Sequence, residues 1–331
     1  MAQDTAVVIL NWNGKRLMEE FLPSVATLSQ GADVIVADNG STDGSVEWLK
    51  ENYPLIRVLA FKENHGFAGG YNLAIKTLEE YKYIVLLNSD VEVTENWIAP
   101  LKEYIYANPD VAACQPKLKS YTNKEMFEYA GAAGGFIDKY GYPFCRGRVF
   151  DTTEKDSGQY DGTPKDIFWA TGAALMVERE SYLAVGGLDP EFFAHMEEID
   201  LCWRLHLQGK RVVVVSESVA YHLGGGTLAA GNPRKTYLNF RNNLFMLYKN
   251  LPLKEGSRLI FKRKLLDGLA ACLFLAKGSF GEVKAVWKAH RDFEKCKSRY
   301  KNQPNANILK QFSESNRSVV VDYYLKGKHC F

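Results

Sequence analysis

A chain of 331 residues, 46% hydrophobic and 24% charged, is long enough for one large α/β domain with an appendage. Its net charge of +2 carries no electrostatic footprint for nucleic acid, and no nucleic-acid partner is expected. Six cysteines, at 114, 145, 202, 272, 296 and 330, form neither a CxxC pair nor a zinc spacing, and their scatter fits a reducing compartment.

The first residues lack a basic stretch followed by a long apolar run, so no signal peptide is expected. Residues 6–10 then read as a buried strand ending at Asn11-Trp12-Asn13-Gly14. A helix is predicted over 15–29, with Leu17, Phe21, Val25 and Leu28 at helical spacing. A second strand covers 33–38, a turn-rich loop runs from Asn39 to Gly44, and a helix covers 45–52. A third strand covers 56–60. The glycine-rich loop Asn64-His65-Gly66-Phe67-Ala68-Gly69-Gly70 opens a helix over 71–80, and a fourth strand covers 83–87. Continuous apolar strands separated by helices predict a mostly parallel, Rossmann-like sheet with helices on both faces. Ligands collect at the carboxyl ends of such strands, where these polar loops fall.

Residues 119–165 are rich in Gly, Tyr, Asp, Lys and Thr with weak periodicity. They read as a long excursion over the site, a mobile lid or an acceptor platform. Regular structure resumes over 166–177, and a turn from Gly186 to Pro190 leads into an acidic helix. A strand over 211–215 runs on to His222 and the glycines at 224, 225 and 226. Beyond about 232 the pattern is helical and basic, from Lys262 to Lys301, with Leu265, Leu266, Leu269, Leu273 and Phe274 on one helical face. Two readings stand for this extension: a basic amphipathic surface lying on an anionic membrane, or helices packed on the core with a solvated basic face. The apolar stretch 265–276 contains Asp267 and is shorter than the roughly 20 residues needed to cross a bilayer.

The segment Glu197-Glu198-Ile199-Asp200 places three carboxylates within four residues at a helix start. Clustered acids repel, which raises the pKa of one of them and suits a general base. Asp200 and Arg204, four apart, are expected to pair on the helix surface, leaving Glu197 and Glu198 for chemistry. The bland alternative is that all three decorate a helix N-terminus. Asp38, ending the second strand, is placed to accept hydrogen bonds from a nucleobase or ribose, or else to make an Asx turn or a cap. Gly66, Gly69 and Gly70 permit close backbone approach to a ligand, but their order is not GxGxxG. Asn88-Ser89-Asp90 reads as a metal turn, with Asp90 the direct ligand and Asn88 and Ser89 in support or on the sugar. His222 either completes that ion's coordination or serves as a structural hydrogen-bonding residue.

Taken in order, Val8 to Asn13, Val36 to Ser45, Asn64 to Asn72, Leu87 to Asp90, Gly186 to Phe193 and Glu197 to Asp200 resemble the family 2 glycosyltransferases, most closely a bacterial rhamnosyltransferase-like branch. The resemblance spans roughly residues 5–250. It implies a GT-A fold over 1–232, with a nucleotide-sugar half (1–118) and an acceptor half (119–232), followed by the helical extension 233–331. It also implies a nucleotide-diphosphate sugar donor and a Mn²⁺ or Mg²⁺ ion. Asp38 matches the nucleoside-holding position, with Asn11, Asn64, Gly69, Gly70, Asn88, Ser89 and Arg241 on the donor side. Asp90 matches the last residue of the Asp-x-Asp metal motif, whose first position is Asn88 here, leaving one fewer charge on the metal. His222 matches a metal-binding histidine, and Glu198 the general base. Trp169, Gly172, Asp189 and Glu197 are expected on the acceptor side.

The implied reaction is inverting transfer to a saccharide or lipid-linked acceptor in cell-surface polysaccharide synthesis, with dTDP-rhamnose the first expectation for donor. The expected location is the cytoplasm, with peripheral contact at the inner face of the membrane through the basic helices. The competing readings are a nucleotidyltransferase, which leaves Glu197-Glu198 unexplained, and a non-catalytic sugar-nucleotide-binding protein.

Overall fold

The computed structural model describes residues 3–224, 232–300 and 304–331; Gly225, Gly226 and Lys301 lie outside them. Short apolar, β-branched runs build the centre. β1 (Thr5–Asn11), β2 (Asp33–Asp38), β3 (Arg57–Ala60) and β4 (Tyr83–Leu87) are parallel in the order β3-β2-β1-β4. They are joined by α1 (Lys15–Leu28), α2 (Ser45–Asn52) and α3 (Gly66–Thr77). Alternate residues divide between the two faces. Val7 and Ile9 join Met18 and Leu22 of α1 in one core, while Ala6 and Val8 join Ala68 and Tyr71 of α3 in the other. Beyond β3 the chain returns to the other side of β1, so a topological switch point lies between β1 and β4.

β5 (Val91–Val93), α4 (Ile98–Ala107) and β6 (Val111–Ser120) follow. β6 has no clear strand pattern because Gln115, Pro116 and Lys117 are buried within it. The excursion is packed structure rather than a lid. β7 (Gly135–Ile137), β8 (Pro143–Cys145), β9 (Arg148–Val149) and β10 (Thr152–Thr153) form a small antiparallel sheet. Phe127, Phe136 and Phe144 are buried there, and Lys117 and Lys119 each lie 3.0 Å from Asp156.

The chain then adds β11 (Lys165–Asp166), β12 (Ala174–Glu178), α5 (Arg179–Ala184), α6 (Glu197–Leu207) and β13 (Arg211–His222). β12 inserts antiparallel between β4 and β6, and β13 runs parallel to β6. The nine-stranded sheet has the order β11-β13-β6-β12-β4-β1-β2-β3, with β5 on β13. Two antiparallel steps from β4 restore its direction in β6 and β13. The ends of β1, β2, β4 and β13 therefore meet the start of β12 along one edge. The extension supplies α7 (Pro233–Asn250), α8 (Leu253–Ala276), α9 (Phe280–Cys296) and α10 (Val319–Tyr324). No helix among the described residues is long and apolar enough to cross a membrane.

Candidate active site

The carboxyl ends of β1 and β2 interlock. Asn11 lies opposite Asp38 in the sheet, and its Nδ2 donates to Asp38 Oδ2 at 2.8 Å and to Ser41 Oγ at 3.1 Å. Asp38 Oδ1 accepts from the Ser41 N–H at 3.0 Å, so the Asx turn is present and Asp38 is 2% exposed. Asn13 accepts from the Thr42 N–H at 2.7 Å, tying the two loops together. Trp12, between Asn11 and Asn13, stands 56% exposed. Asn64 Oδ1 accepts from Asn39 Nδ2 and from the Gly66 N–H, holding the start of α3 against the end of β2.

The ends of β4 and β13 bring Asp90 and His222 together. His222 pairs with Val91 in the sheet, and its Nε2 lies 3.1 Å from Asp90 Oδ1. On the other side, Nδ1 lies 3.2 Å from Glu128 Oε1. Burial disfavours the imidazolium, but the flanking Asp90 and Glu128 outweigh it and raise the group to about 10. With its proton displaced, His222 would offer an imidazole nitrogen beside the hard Asp90 oxygen to Mn²⁺ or Mg²⁺, with the Glu128 carboxylate behind the ring. Among the described residues no group of three or more His, Cys, Asp or Glu is disposed to hold a metal. A cation held by Asp90 and His222 alone would take its remaining ligands from phosphate oxygens and water. Glu128 was not legible in the sequence, because it comes from the weakly patterned excursion and reaches His222 only in the fold.

Glu197 and Glu198 open α6, and each has an Oε2 that is buried without a hydrogen-bond partner. Burial, then the neighbouring Glu198 charge, hold Glu197 well above the usual carboxylate range. Burial pushes Glu198 up to about 7, against the opposing pull of backbone N–H groups of Glu198, Ile199 and Met196. Gly172, just before β12, sits beside Glu198: a Cβ there would lie 3.6 Å from Glu198 Cβ and 3.6 Å from Phe67. Asn88 is tied to the same edge by its N–H, which donates to the Ala173 carbonyl at 2.9 Å. Ser89 faces the β1 loop, its Oγ 3.8 Å from where a Cβ on Gly14 would stand.

The loop entering α6 is strained. Phe193, His195 and Met196 all take positive φ, at 65°, 68° and 73°. Asn242 of α7 holds it, with Nδ2 2.8 Å from each of the Phe192, Ala194 and His195 carbonyls. Arg241 is spent beside it, its Nη2 donating to the Glu191 and Phe192 carbonyls at 2.9 and 3.1 Å. Arg241, expected on the donor side, here clamps this loop.

Four further expectations change. Trp169 is 3% exposed and donates its indole N–H to the Phe136 carbonyl at 2.9 Å, so it is core rather than acceptor surface. Asp189 accepts from Lys249 at 2.7 Å and from the Glu191 N–H at 3.0 Å, so it pins a turn to α7. Gly69 and Gly70 lie inside α3, which starts at Gly66; a Cβ on Gly70 would sit 2.7 Å from Leu10 Cδ1, so its role is close packing. The Asp200–Arg204 pair exists at 2.7 Å but is buried rather than on the surface, with Lys249 and Asn250 also bound to Asp200.

The fold is that of GT-A transferases. GalNAc-T7 with UDP, GalNAc and Mn²⁺ superposes with a TM-score of 0.58 at 18% identity, over 75% of this chain and 48% of that one. The mannosyltransferase PcManGT from Pyrobaculum calidifontis, in complex with GDP-Man and Mn²⁺, gives 0.54 at 14%, over 88% and 87%. Residues 6–170 match the model of glycosyl transferase family 2, and the chain belongs to that family. It is 27% identical over 240 residues to the N-acetylglucosaminyl-diphospho-decaprenol L-rhamnosyltransferase of Mycobacterium tuberculosis, covering 67% of this chain and 76% of that relative. The chain is a nucleotide-sugar glycosyltransferase.

Proposed function

We propose that the chain moves a sugar, rhamnose from dTDP-rhamnose, onto a lipid-linked saccharide in cell-surface polysaccharide synthesis, with inversion at the anomeric carbon. The name of the mycobacterial relative supports this choice of sugar and acceptor class. The observation that carries the chemistry is Glu198: a carboxylate with a buried, unpartnered oxygen, raised to about 7 and set beside Gly172. At neutral pH such a group is half-ionised, near the optimum for taking a proton. The acceptor hydroxyl oxygen attacks the anomeric carbon, Glu198 takes its proton, and the bond to the diphosphate breaks on the opposite face. Glu197 is likewise held above the carboxylate range, by burial and then by the neighbouring Glu198 charge.

Asp38, held by Asn11 and Ser41, keeps a nucleoside at the end of β2. Asp90 and His222 would hold the divalent cation, Mn²⁺ or Mg²⁺. When bound there, the cation neutralises charge on the diphosphate leaving group. Glu128 fixes the His222 ring. A lipid-linked acceptor sets the reaction at the inner face of the cell membrane, with the basic extension in peripheral contact.

Glu198→Gln tests the assignment. Donor binding is retained while sugar transfer falls about 10²–10⁴-fold. Substantial residual transfer reassigns the base, with Glu197 next in place.

A further inference from the structure

α8 is turned inside out relative to an ordinary surface helix. Of its 24 residues, those buried against the protein are Gly256, Ile260, Arg263 and Asp267. Arg263 Nη2 lies 3.2 Å from Asp267 Oδ1, and His290 of α9 lies 3.0 Å from the second oxygen. Apart from Ile260 and Leu259, which pack on the core, the large apolar residues along the next face point outward. Phe261, Leu265, Leu269 and Leu273 are 64%, 60%, 62% and 58% exposed. They recur every fourth residue, so they form one stripe along the helix. The stripe continues past the helix end, where Leu275 and, across the turn, Phe280 are 53% and 69% exposed. Single exposed leucines are ordinary, but a continuous apolar stripe marks an interaction surface.

Cations frame this stripe. Lys254, Arg258 and Lys262 lie on α8, Lys277 in the turn and Lys284 on α9. None of these five has a carboxylate within ion-pair distance among the described residues, whereas Lys264 pairs with Glu294 at 2.6 Å. Phe280, Lys284, Trp287 and Arg291 follow helical spacing along α9, with Trp287 61% exposed and Arg291 over its ring at 4.9 Å. From Phe261 to Leu273 the stripe is about 18 Å long, short of the roughly 30 Å hydrocarbon core of a bilayer.

We infer that the exposed stripe of α8 and the α8–α9 turn form a docking surface for an anionic lipid bilayer. Phe261, Leu265, Leu269, Leu273 and Phe280 enter the headgroup boundary while Lys254, Arg258, Lys262, Lys277 and Lys284 meet acidic headgroups. Charge chooses this occupant over a second copy of the chain. A two-fold self-contact brings a patch against its own equivalent, and here that would set unpaired lysines against unpaired lysines. The inference deepens the reading of a lipid-linked acceptor, but its test does not pass through catalysis.

The experiment is co-sedimentation of the whole chain with vesicles of phosphatidylglycerol and phosphatidylcholine, against vesicles of phosphatidylcholine alone, at low and high salt. The expected result is binding to the acidic vesicles, weakened by salt, with a shift of tryptophan emission to the blue. The double variant Leu265→Ser with Leu269→Ser partitions at least about tenfold less, since it removes two apolar side chains from the contact. Both side chains already face outward, so this variant melts like the parent and keeps its transfer rate on a water-soluble acceptor. Absence of binding to acidic vesicles overturns the inference, as does equal binding by the variant. A parent dimer that the variant dissolves also overturns it, assigning the stripe to self-association. Glu198→Gln binds vesicles like the parent, so failure of the catalytic reading and failure of this one are separate results.

Discussion

Glu198 shows how one position records both chemistry and cost. Its ordinary value is 4.5, and in the fold it is about 7. Between those values the folded protein keeps a proton that the unfolded chain releases, so stability falls as pH rises from about 4.5 to 7 and the deficit is constant above. Glu198→Gln removes that deficit. Its melting temperature at pH 8 therefore exceeds the parent's by a few degrees, on the order of 3 kcal/mol, and most of the gain disappears near pH 5. A scan at both pH values checks this; a variant that melts lower at pH 8 contradicts it. In the active parent, transfer rises with pH through a step near 7, the pH at which the base ionises. The acids themselves were legible because three carboxylates at one helix start are chemically conspicuous. The separation of roles was not, because it depends on burial. Asp200 has the same type of side chain as its neighbours, yet Arg204 and Lys249 outweigh its burial and hold it below the carboxylate range.

At the scale of elements, the segment from Phe192 to Met196 explains why the extension matters to the site. Three non-glycine residues in left-handed backbone cost roughly 1–3 kcal/mol each, and such strain persists only where neighbours enforce it. α7 enforces it through Asn242, which is fully buried. Asn242→Ala leaves three carbonyls without that donor, and kcat is expected to fall about 10–100-fold with donor KM nearly unchanged, since a shift on the order of 1 Å at the base is costly while Asp38 is untouched. Steady-state kinetics decide it; parental kcat sinks the clamp. None of this could be read from the sequence. Arg241 and Asn242 sit on a helix whose partner lies about fifty positions away, and a guanidinium near a presumed diphosphate looks the same on paper as one bound to carbonyls. The glycines of α3 misled in a related way. A run of glycine reads as a loop, yet Gly70 sits within the helix because Leu10 and Asn39 leave no room for a Cβ. Where the periodicity was strong, as in β1, α2, β2 and β4, expectation and structure agree to within a residue or so.

Across the whole molecule, the sheet order converts distant motifs into one edge. The parallel half was legible because its strands are unbroken apolar runs. β6, with Gln115, Pro116 and Lys117 buried inside it, was not, and without β6 and β12 the approach of β13 to β4 has no visible cause. That approach is what unites Asp90 with His222. The extension was legible as basic and helical, but which face it buries was decided by Arg263 and Asp267, an i,i+4 pair that finds its partners only in the packed structure.

The central claim is a metal-dependent nucleoside-diphosphate site at that edge. It is tested most directly by thermal shift with dTDP, UDP, GDP and CDP, each with and without Mn²⁺, on the parent and on Asp90→Ala. One nucleotide, dTDP on the present account, is expected to stabilise the parent only with Mn²⁺. At 100 times its Kd the gain is about 2.7 kcal/mol, and Asp90→Ala loses it. Equal stabilisation with and without metal, or a full response in Asp90→Ala, contradicts the account.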